Sequence, residues 1–291
     1  MQPRHAHVLQ SEQADPLDSR QFLIAVKRIA DSLSYGTDSS RFLGQGLEYV
    51  QSRPYQAGDP VKSIDWRVTA RMSKVYVKEY EVPKCIPVWL VVDTSASMTI
   101  SSIPLSKYAL AVQTAGGIAL ACMDRVSPVG VLGAGEKNIL VKPSLSRDTV
   151  LQWMHDLRHH RMDEQTQLGT RLKALEASLT HSSLVIVLSD FHDPSALASL
   201  KLLAANHDCI ALQYRDPAEN HTLGAGFFHG TEAETGSSFI AHSGKRHSDP
   251  SALAATLKQA SIDHLMIQTD QPLIQRLRYF LQARGVLTGK G

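Results

Sequence analysis

Apolar runs of strand length alternate with helical patterns from residue 87 onward. Val88–Val92 and Leu184–Leu188 are uninterrupted apolar runs, which is typical of parallel strands whose sheet is covered by helices on both faces. A hairpin is predicted between Leu223 and Ala241. The predicted helices are 106–125, 147–159, 169–180, 195–206 and 271–284, and the further strands are 128–133, 138–142, 208–214 and 263–269. The pattern predicts an α/β fold with a doubly wound, mostly parallel sheet in a Rossmann-type three-layer arrangement.

The chain before residue 87 has a different character. Residues 1 to about 17 are polar, and the apolar positions between Leu23 and Ala30 predict a helix that ends before Gly36. Glycine and proline break residues 41–81 into turns, with a strand at Val75–Val77. We therefore expect an N-terminal helix plus β appendage before the α/β domain. The expected units are an N-terminal tail and helix (1–40), a β- and turn-rich segment (41–86) and the α/β domain (87–287).

Composition and charge limit the classes of function. The 291 residues are 43% hydrophobic, enough for one sizeable core, and the formal net charge of +2 provides no strong electrostatic footprint for nucleic acid. The three cysteines are far apart and form no CxxC pair, which favours a reducing compartment. The N-terminus lacks the apolar core of a signal peptide. We expect a cytoplasmic protein with no integral membrane segment and no nucleic-acid partner.

Oxygen-bearing side chains follow the predicted strands at one edge of the sheet. Asp93, Ser95 and Ser97 occupy alternate positions directly after one apolar run, and Asp190 follows another. Thr170 opens a helix whose preceding loop is expected at the same edge. Ligands bind at the carboxyl ends of strands in an open parallel sheet. Because carboxylate and hydroxyl oxygens suit Mg²⁺ or Mn²⁺ and do not suit zinc or copper, the three loops predict a site for a hard divalent cation.

This set resembles the metal-ion-dependent adhesion site of the von Willebrand factor A superfamily, whose signature is DxSxS followed by a distant Thr and a distant Asp. The resemblance implies a Mg²⁺ site, with Mn²⁺ or Ca²⁺ as substitutes. Hydroxyl ligands neutralise little of the ion's charge, so an Asp or Glu of a protein partner fills its open position. The corresponding residues are Asp93, Ser95, Ser97, Thr170 and Asp190. The threonine stays open, since Arg171 follows Thr170 where the family often has an acidic residue, and Thr166 is a second candidate.

The segment before the first apolar run carries a second resemblance. Arg53–Asp59, Ile64–Arg67 and Ala70-Arg71 are similar to a block in the bacterial family called domain of unknown function 58, in which the block precedes an A-like domain. The resemblance covers roughly residues 41–285. It implies a non-enzymatic module that acts beside a MoxR-type AAA+ ATPase, in chaperone-like maturation of other proteins or metal insertion into them.

The same block permits two interpretations. Its aspartates could hold its arginines in a structural ion-pair network, with the aromatic side chains packed beneath them. Alternatively, the block is a docking surface for the partner ATPase. The interspersed carboxylates weaken any interaction with nucleic-acid phosphates. The candidate partner-binding residues are Arg53, Tyr55, Asp59, Asp65, Trp66, Arg67 and Arg71.

Enzyme signatures fail in detail. Gly130–Lys137 has the glycine spacing of a phosphate-binding loop, but Glu136 stands where that loop needs a lysine. The chain also contains no GxSxG nucleophile elbow. We therefore expect no enzymatic activity. Two rival hypotheses are a hydrolase that activates an ion-bound water with His192 as base, and a metal-free scaffold.

Overall fold

The computed structural model describes residues 17–34, 48–81, 86–137, 139–160, 165–220, 227–231, 238–242 and 250–284. Most of the predicted polar tail, Cys85 and the turn of the predicted hairpin lie outside the described residues. The strands are β1 (Glu48–Pro54), β2 (Tyr76–Glu81), β3 (Val88–Val92), β4 (Val129–Gly133), β5 (Leu140–Ser144), β6 (Leu184–Ser189), β7 (Asp208–Arg215), β8 (Phe227–Thr231), β9 (Ser238–His242) and β10 (Asp263–Gln268). The helices are α1 (Ser19–Ser34), α2 (Trp66–Met72), α3 (Lys107–Met123), α4 (Arg147–Arg158), α5 (Leu168–Ser178), α6 (Pro194–Ala204), α7 (Pro250–Gln259) and α8 (Leu273–Ala283). No described helix is both long enough and apolar enough to cross a lipid bilayer.

Six strands form one mixed sheet in the order β10–β7–β6–β3–β4–β5. Neighbouring strands are parallel except for β4 and β5, which are antiparallel. These are the strands that the apolar runs predict, and helices alternate with them along the chain. The prediction of an α/β fold with a mostly parallel sheet is confirmed. β8 and β9 pair antiparallel, as the predicted hairpin requires.

Hydrophobic side chains cover both faces of this sheet. Along β3, Leu90 and Val92 join one buried cluster, while Trp89 and Val91 join another, because successive side chains of a strand point to opposite faces. The first cluster includes buried residues of α1, α3, α4 and α8, and the second includes those of α5, α6 and α7. Burial on both faces holds the strands in place, and with them the loops that begin at their carboxyl ends.

Helix α1 packs directly against α3. Val26 and Ile29 of α1 meet α3 at its glycine pair, and a Cβ atom on Gly117 would lie 2.4 Å from Ile29 Cγ2. Phe22 and Leu33 extend the same buried face of α1, so this helix carries one apolar stripe. The assignment of α1 to an appendage is therefore corrected, because its stripe belongs to the main hydrophobic core.

The 48–81 segment agrees only in part with its prediction. Its predicted strand is present as β2, but β1 and α2 lie where turns are expected. β1 pairs antiparallel with β2, and Asp65 caps α2 by accepting from the Arg67 and Val68 N–H groups. A strand partner and a capping carboxylate organise these elements, and neither produces a periodic apolar pattern. α7 also lies outside the predicted helices, although Pro250 at its first position is a helix-start signal.

Candidate functional site

The carboxyl ends of β3 and β6 lie side by side at the centre of the sheet. From β3 the chain runs through α3 to β4 on one side, and from β6 it runs through α6 to β7 on the other. Such a divergence leaves a crevice at the carboxyl edge, where open α/β sheets bind ligands. Asp93 follows β3 and Asp190 follows β6, and the Asp93 N–H donates to the Leu188 carbonyl at 2.9 Å. Both carboxylates therefore begin at the crevice.

The loop after β3 gathers one carboxylate and two hydroxyls in a buried position. Asp93, Ser95 and Ser97 are 1%, 0% and 9% exposed. The Ser95 N–H donates to Asp93 Oδ1 at 3.1 Å, and the Ser95 and Ser97 hydroxyl oxygens are 3.0 Å apart. Ser189, at the end of β6, donates its hydroxyl to Asp93 Oδ2 at 2.5 Å. The structure thus brings the DxSxS residues together and adds Ser189, which the sequence analysis does not identify as a site residue.

These oxygen atoms can be tested against the geometry of a divalent ion. In the described part of the chain, no three His, Cys, Asp or Glu side chains are grouped so as to hold a metal ion, so a metal site here depends on hydroxyl ligands. Octahedral Mg²⁺ has Mg–O bonds of about 2.1 Å, which place adjacent ligand oxygens about 3 Å apart. The Ser95 and Ser97 oxygens have this separation. These two hydroxyls, whose spacing is also that of the hydrogen bond between them, fit two adjacent positions around a small, hard divalent cation.

Asp190 is held in the crevice by a sharp turn. Phe191 has a φ of 58°, a left-handed conformation that costs a bulky residue about 1–2 kcal/mol. Its N–H donates to the Ser189 hydroxyl at 2.8 Å, and the His192 N–H donates to Asp190 Oδ1 at 3.3 Å. The turn leaves Asp190 only 3% exposed and returns His192 to it, with Nδ1 at 3.0 Å from Asp190 Oδ2.

Lys107 is a site residue that the sequence analysis does not identify. It is 1% exposed, and its Nζ lies 2.9 Å from Asp190 Oδ2 and 2.6 Å from Glu219 Oε1. Arg215 Nε lies 3.6 Å from the other carboxylate oxygen of Glu219. The sequence does contain a signal, since Lys107 is the only charged residue of α3. That signal marks the lysine as exceptional but does not identify the carboxylates around it.

The two aspartates of the crevice differ in their ionisation. Burial, together with repulsion from Asp190, raises the pKa of Asp93 to about 6. Burial also opposes the ionisation of Asp190, but the hydrogen bond from His192 and the charge of Lys107 outweigh it and lower the pKa of Asp190. The same hydrogen bond raises the pKa of His192. Asp190 is thus the stable anion of the pair, and Asp93 is the carboxylate whose charge the protein stabilises less.

The two threonine candidates lie in different surroundings. Thr170 is exposed on the first turn of α5, whereas the hydroxyl oxygen of Thr166 is buried in the loop before that helix. Backbone hydrogen bonds tie this loop to β3. The Gln167 N–H donates to the Ala134 carbonyl at 3.0 Å, and the Ala134 N–H donates to the Val92 carbonyl at 2.9 Å. The Thr166 loop therefore lies near the carboxyl end of β3.

Part of the candidate partner-binding block serves the fold itself. Arg53 contacts Asp59 through two hydrogen bonds, at 2.7 and 2.8 Å. Asp65 is buried, caps α2 and accepts the Ser52 hydroxyl at 2.8 Å. The ion-pair network considered from the sequence thus forms around Arg53, while Asp65 interacts with a hydroxyl and with backbone N–H groups.

The rest of the block faces outward. Tyr55 and Trp66 are 41% and 67% exposed, so they are not packed beneath the ion pairs. Arg67 and Arg71 are also exposed, one turn apart on α2. Because none of these side chains is buried, they are the members of the block that a partner can reach.

Comparison with known proteins identifies the family of the chain. Residues 51–251 match the family described as "Protein of unknown function DUF58". Uncharacterized proteins of Mycobacterium bovis and Mycobacterium tuberculosis are similar to the chain, at 27% identity over 201 residues, and the match spans 67% of this chain and about 63% of theirs. A crystal structure of an uncharacterized membrane-spanning protein from Vibrio fischeri aligns with 69% of this chain and 97% of its own at 15% identity, but the TM-score of 0.19 carries no structural argument. Because the family match covers most of its length, this chain belongs to the DUF58 family.

Proposed function

We propose that this protein is a non-enzymatic module that binds a protein partner through a divalent cation at the carboxyl edge of its sheet. Asp93, Ser95 and Ser97 hold the cation, which is Mg²⁺ or a substitute such as Mn²⁺ or Ca²⁺, and a threonine hydroxyl and Asp190 lie beside it. The observation that carries the proposal is the buried pair of serine hydroxyls, 3.0 Å apart, next to Asp93. When bound, the ion supplies a Lewis-acidic position that an Asp or Glu of the partner fills.

The topology of the sheet supports a von Willebrand factor A-like arrangement. β3 lies inside the sheet, helices cover both faces, and the DxSxS loop begins where the crossover connections diverge. At this position the loop is supported by two buried strands and still faces the rim of the domain. The ligand side chains are therefore rigidly held, and Ser97, at 9%, is the most exposed of the three in this loop.

We assign the threonine ligand to Thr166 in preference to Thr170. The Thr166 hydroxyl oxygen is buried in a loop that backbone hydrogen bonds tie to the end of β3. Thr170 is exposed on a helical turn beyond that loop. A loop residue beside the end of β3 is better placed to share an ion with Asp93.

A hydrolytic role for the same ion is the weaker candidate. A base that activates water at neutral pH must be unprotonated, and the hydrogen bond to Asp190 raises the pKa of His192. His192 therefore stays protonated over a wider pH range. The contact of its Nδ1 with Asp190, at 3.0 Å, leaves Nε2 as the ring nitrogen that could act as the base. The raised pKa is the feature that favours a binding role over a catalytic one.

The exposed part of the 48–81 segment provides a second surface for the partner. Trp66, Arg67 and Arg71 present an aromatic ring and two cations on α2, a combination that is common in protein interfaces. The family resemblance favours a MoxR-type AAA+ ATPase as the partner. We place this pair in the cytoplasm, in chaperone-like maturation or assembly of other proteins.

Capture of a purified MoxR-type AAA+ ATPase from the same organism tests the proposal. We expect the full-length chain to capture the ATPase in millimolar MgCl₂ and to release it in EDTA. Asp93→Ala should abolish capture without unfolding the chain. Asp31→Ala, which removes an exposed carboxylate of α1, is the matched control and should capture normally. Equal capture by Asp93→Ala, or capture that persists in EDTA, would exclude the metal-dependent mechanism.

A further inference from the structure

We infer that Lys107 is a built-in cation that neutralises Asp190, so that the site binds its divalent ion tightly only when an acidic group of the partner binds with it. The inference rests on the proposed function, because it concerns the same ion. It makes ion binding and partner binding depend on each other.

The surroundings of Lys107 require it to stay ion-paired. Lys107 is the first residue of α3, directly after the capping residue Ser106, and it is 1% exposed. Its Nζ lies 2.9 Å from Asp190 Oδ2 and 2.6 Å from Glu219 Oε1. An ammonium group buried to this extent is stable only with such partners. The helix start thus fixes a positive charge against Asp190.

This pairing changes the charge that a divalent ion meets in the crevice. Asp190 is paired with Lys107 and with His192, while Glu219 faces both Lys107 and Arg215. The contacts described for Asp93 are with neutral groups, the Ser95 N–H and the Ser189 hydroxyl. Asp93 therefore balances one of the ion's two positive charges, the serine hydroxyls balance none, and Lys107 repels the ion.

The ion consequently needs one more anion. A pocket of about 230 Å³ is lined by Lys107, Asp190, His192, Arg215 and Glu219, and it meets the crevice at Asp190. An acidic group that tightens ion binding must itself be bound more tightly, by the same factor, when the ion is present. The expected behaviour is weak ion binding by the protein alone and stronger binding by the ion and the carboxylate together.

A purely structural role for Lys107 makes different predictions. If the lysine only stabilises the fold, its removal destabilises the protein and leaves ion binding unchanged or weaker. If it is a built-in cation, its removal ends a repulsion and leaves Asp190 paired with His192 alone, so Asp190 attracts the ion more strongly. The affinity for the ion then rises, while the benefit of an added carboxylate falls. The two roles therefore differ in the sign of the effect on ion affinity.

Isothermal titration calorimetry of the full-length protein with MgCl₂ measures the affinity for the ion and the effect of an added carboxylate on that affinity. The titrations are made in sodium acetate and in sodium chloride of equal ionic strength, with acetate as the carboxylate probe. Lys107→Met removes the charge and keeps a long apolar side chain. Lys107→Met/Glu219→Gln also removes one of the two carboxylates that lose their partner, and serves if the single variant does not fold. Lys201→Met, which removes an exposed lysine of α6, is the matched control.

We expect wild type to bind Mg²⁺ more tightly in acetate than in chloride. In chloride, the Lys107 variants should bind Mg²⁺ about tenfold more tightly than wild type, because a nearby unit charge of the same sign has been removed. Acetate should raise the Mg²⁺ affinity of these variants by a smaller factor than it raises that of wild type. Unchanged or weaker binding by folded Lys107 variants would overturn the inference alone, provided that Asp93→Ala abolishes the binding seen in wild type. If no variant binds Mg²⁺ at all, the inference and the proposed metal site both fail.

Discussion

Replacement of Asp93 by asparagine is expected to stabilise the ion-free protein and to abolish its response to Mg²⁺. Asp93 is 1% exposed, and burial together with repulsion from Asp190 raises its pKa from 3.8 to about 6. The ionised carboxylate therefore opposes folding at neutral pH, whereas a neutral amide does not. Asparagine has nearly the same size and keeps a carbonyl oxygen that can accept the Ser95 N–H. The amide nitrogen that replaces Oδ2 cannot accept the Ser189 hydroxyl, so the loss of that hydrogen bond offsets part of the gain from removing the charge.

The magnitude follows from the difference in pKa between the folded and unfolded states. A difference of about 2 pKa units, at about 1.4 kcal/mol per unit, corresponds to about 3 kcal/mol in the free energy of unfolding. Because the folded-state pKa of Asp93 is raised, the contribution of this group to the free energy of unfolding is fully present below about pH 4, where the carboxyl is protonated in both states. This contribution is lost as the pH rises through about 6, where Asp93 ionises inside the folded protein. We therefore expect Asp93→Asn to gain up to about 3 kcal/mol at neutral pH and little at acidic pH.

Urea unfolding followed by circular dichroism measures this effect. In EDTA at neutral pH, Asp93→Asn should unfold at a higher urea concentration than wild type with the same dependence on urea, and the two should converge in acid. In millimolar MgCl₂ wild type should gain stability, because the folded state alone binds the ion, and the variant should gain none. A variant less stable than wild type in EDTA at neutral pH would refute the reasoning about burial and repulsion at Asp93.

Four further substitutions test the threonine ligand, the packing of α1 against α3 and the role of α2. Thr166→Val should remove the Mg²⁺-induced rise in Tm, whereas Thr170→Val should leave it unchanged. The opposite pattern would mean that Thr170 is the ligand. Gly117→Ala should lower the free energy of unfolding in urea by about 1–3 kcal/mol, since its Cβ would lie 2.4 Å from Ile29 Cγ2; an unchanged value would mean that α1 and α3 do not pack this closely. Trp66→Ala should alter stability by less than about 0.5 kcal/mol, because the side chain is 67% exposed, yet it should weaken capture of the ATPase in a pull-down. Undiminished capture would remove α2 from the interface.

The inner strands of the sheet could be predicted from the sequence because they are buried on both faces. Burial on both faces requires uninterrupted apolar runs, and Val88–Val92 and Leu184–Leu188 are such runs. The packing of α1 could not be predicted in the same way. Its apolar stripe shows that the helix covers something, but the glycine pair of α3 that receives it lies about 90 residues further along the chain.

The residues of the candidate site also differ in whether their contacts are local or distant in sequence. Asp93, Ser95 and Ser97 could be identified together because they occupy one short loop, whose side chains the structure brings within hydrogen-bonding distance. Lys107 could not be identified, because its partners Asp190 and Glu219 are 83 and 112 residues away in sequence. Such pairings depend on which strands become neighbours in the sheet. The sequence also does not decide between the two threonines. Thr166 lies just before α5 and Thr170 lies in its first turn, and only the difference in burial distinguishes them.

The position of Mn²⁺ in crystals of the full-length protein tests the metal site most directly. Mn²⁺ accepts the oxygen ligands that Mg²⁺ prefers, and its anomalous scattering locates it independently of the refined coordinates. We expect one anomalous peak in the crevice, within bonding distance of the Ser95 and Ser97 hydroxyls and beside Asp93. A peak elsewhere on the chain, or no peak at saturating MnCl₂, would contradict the account.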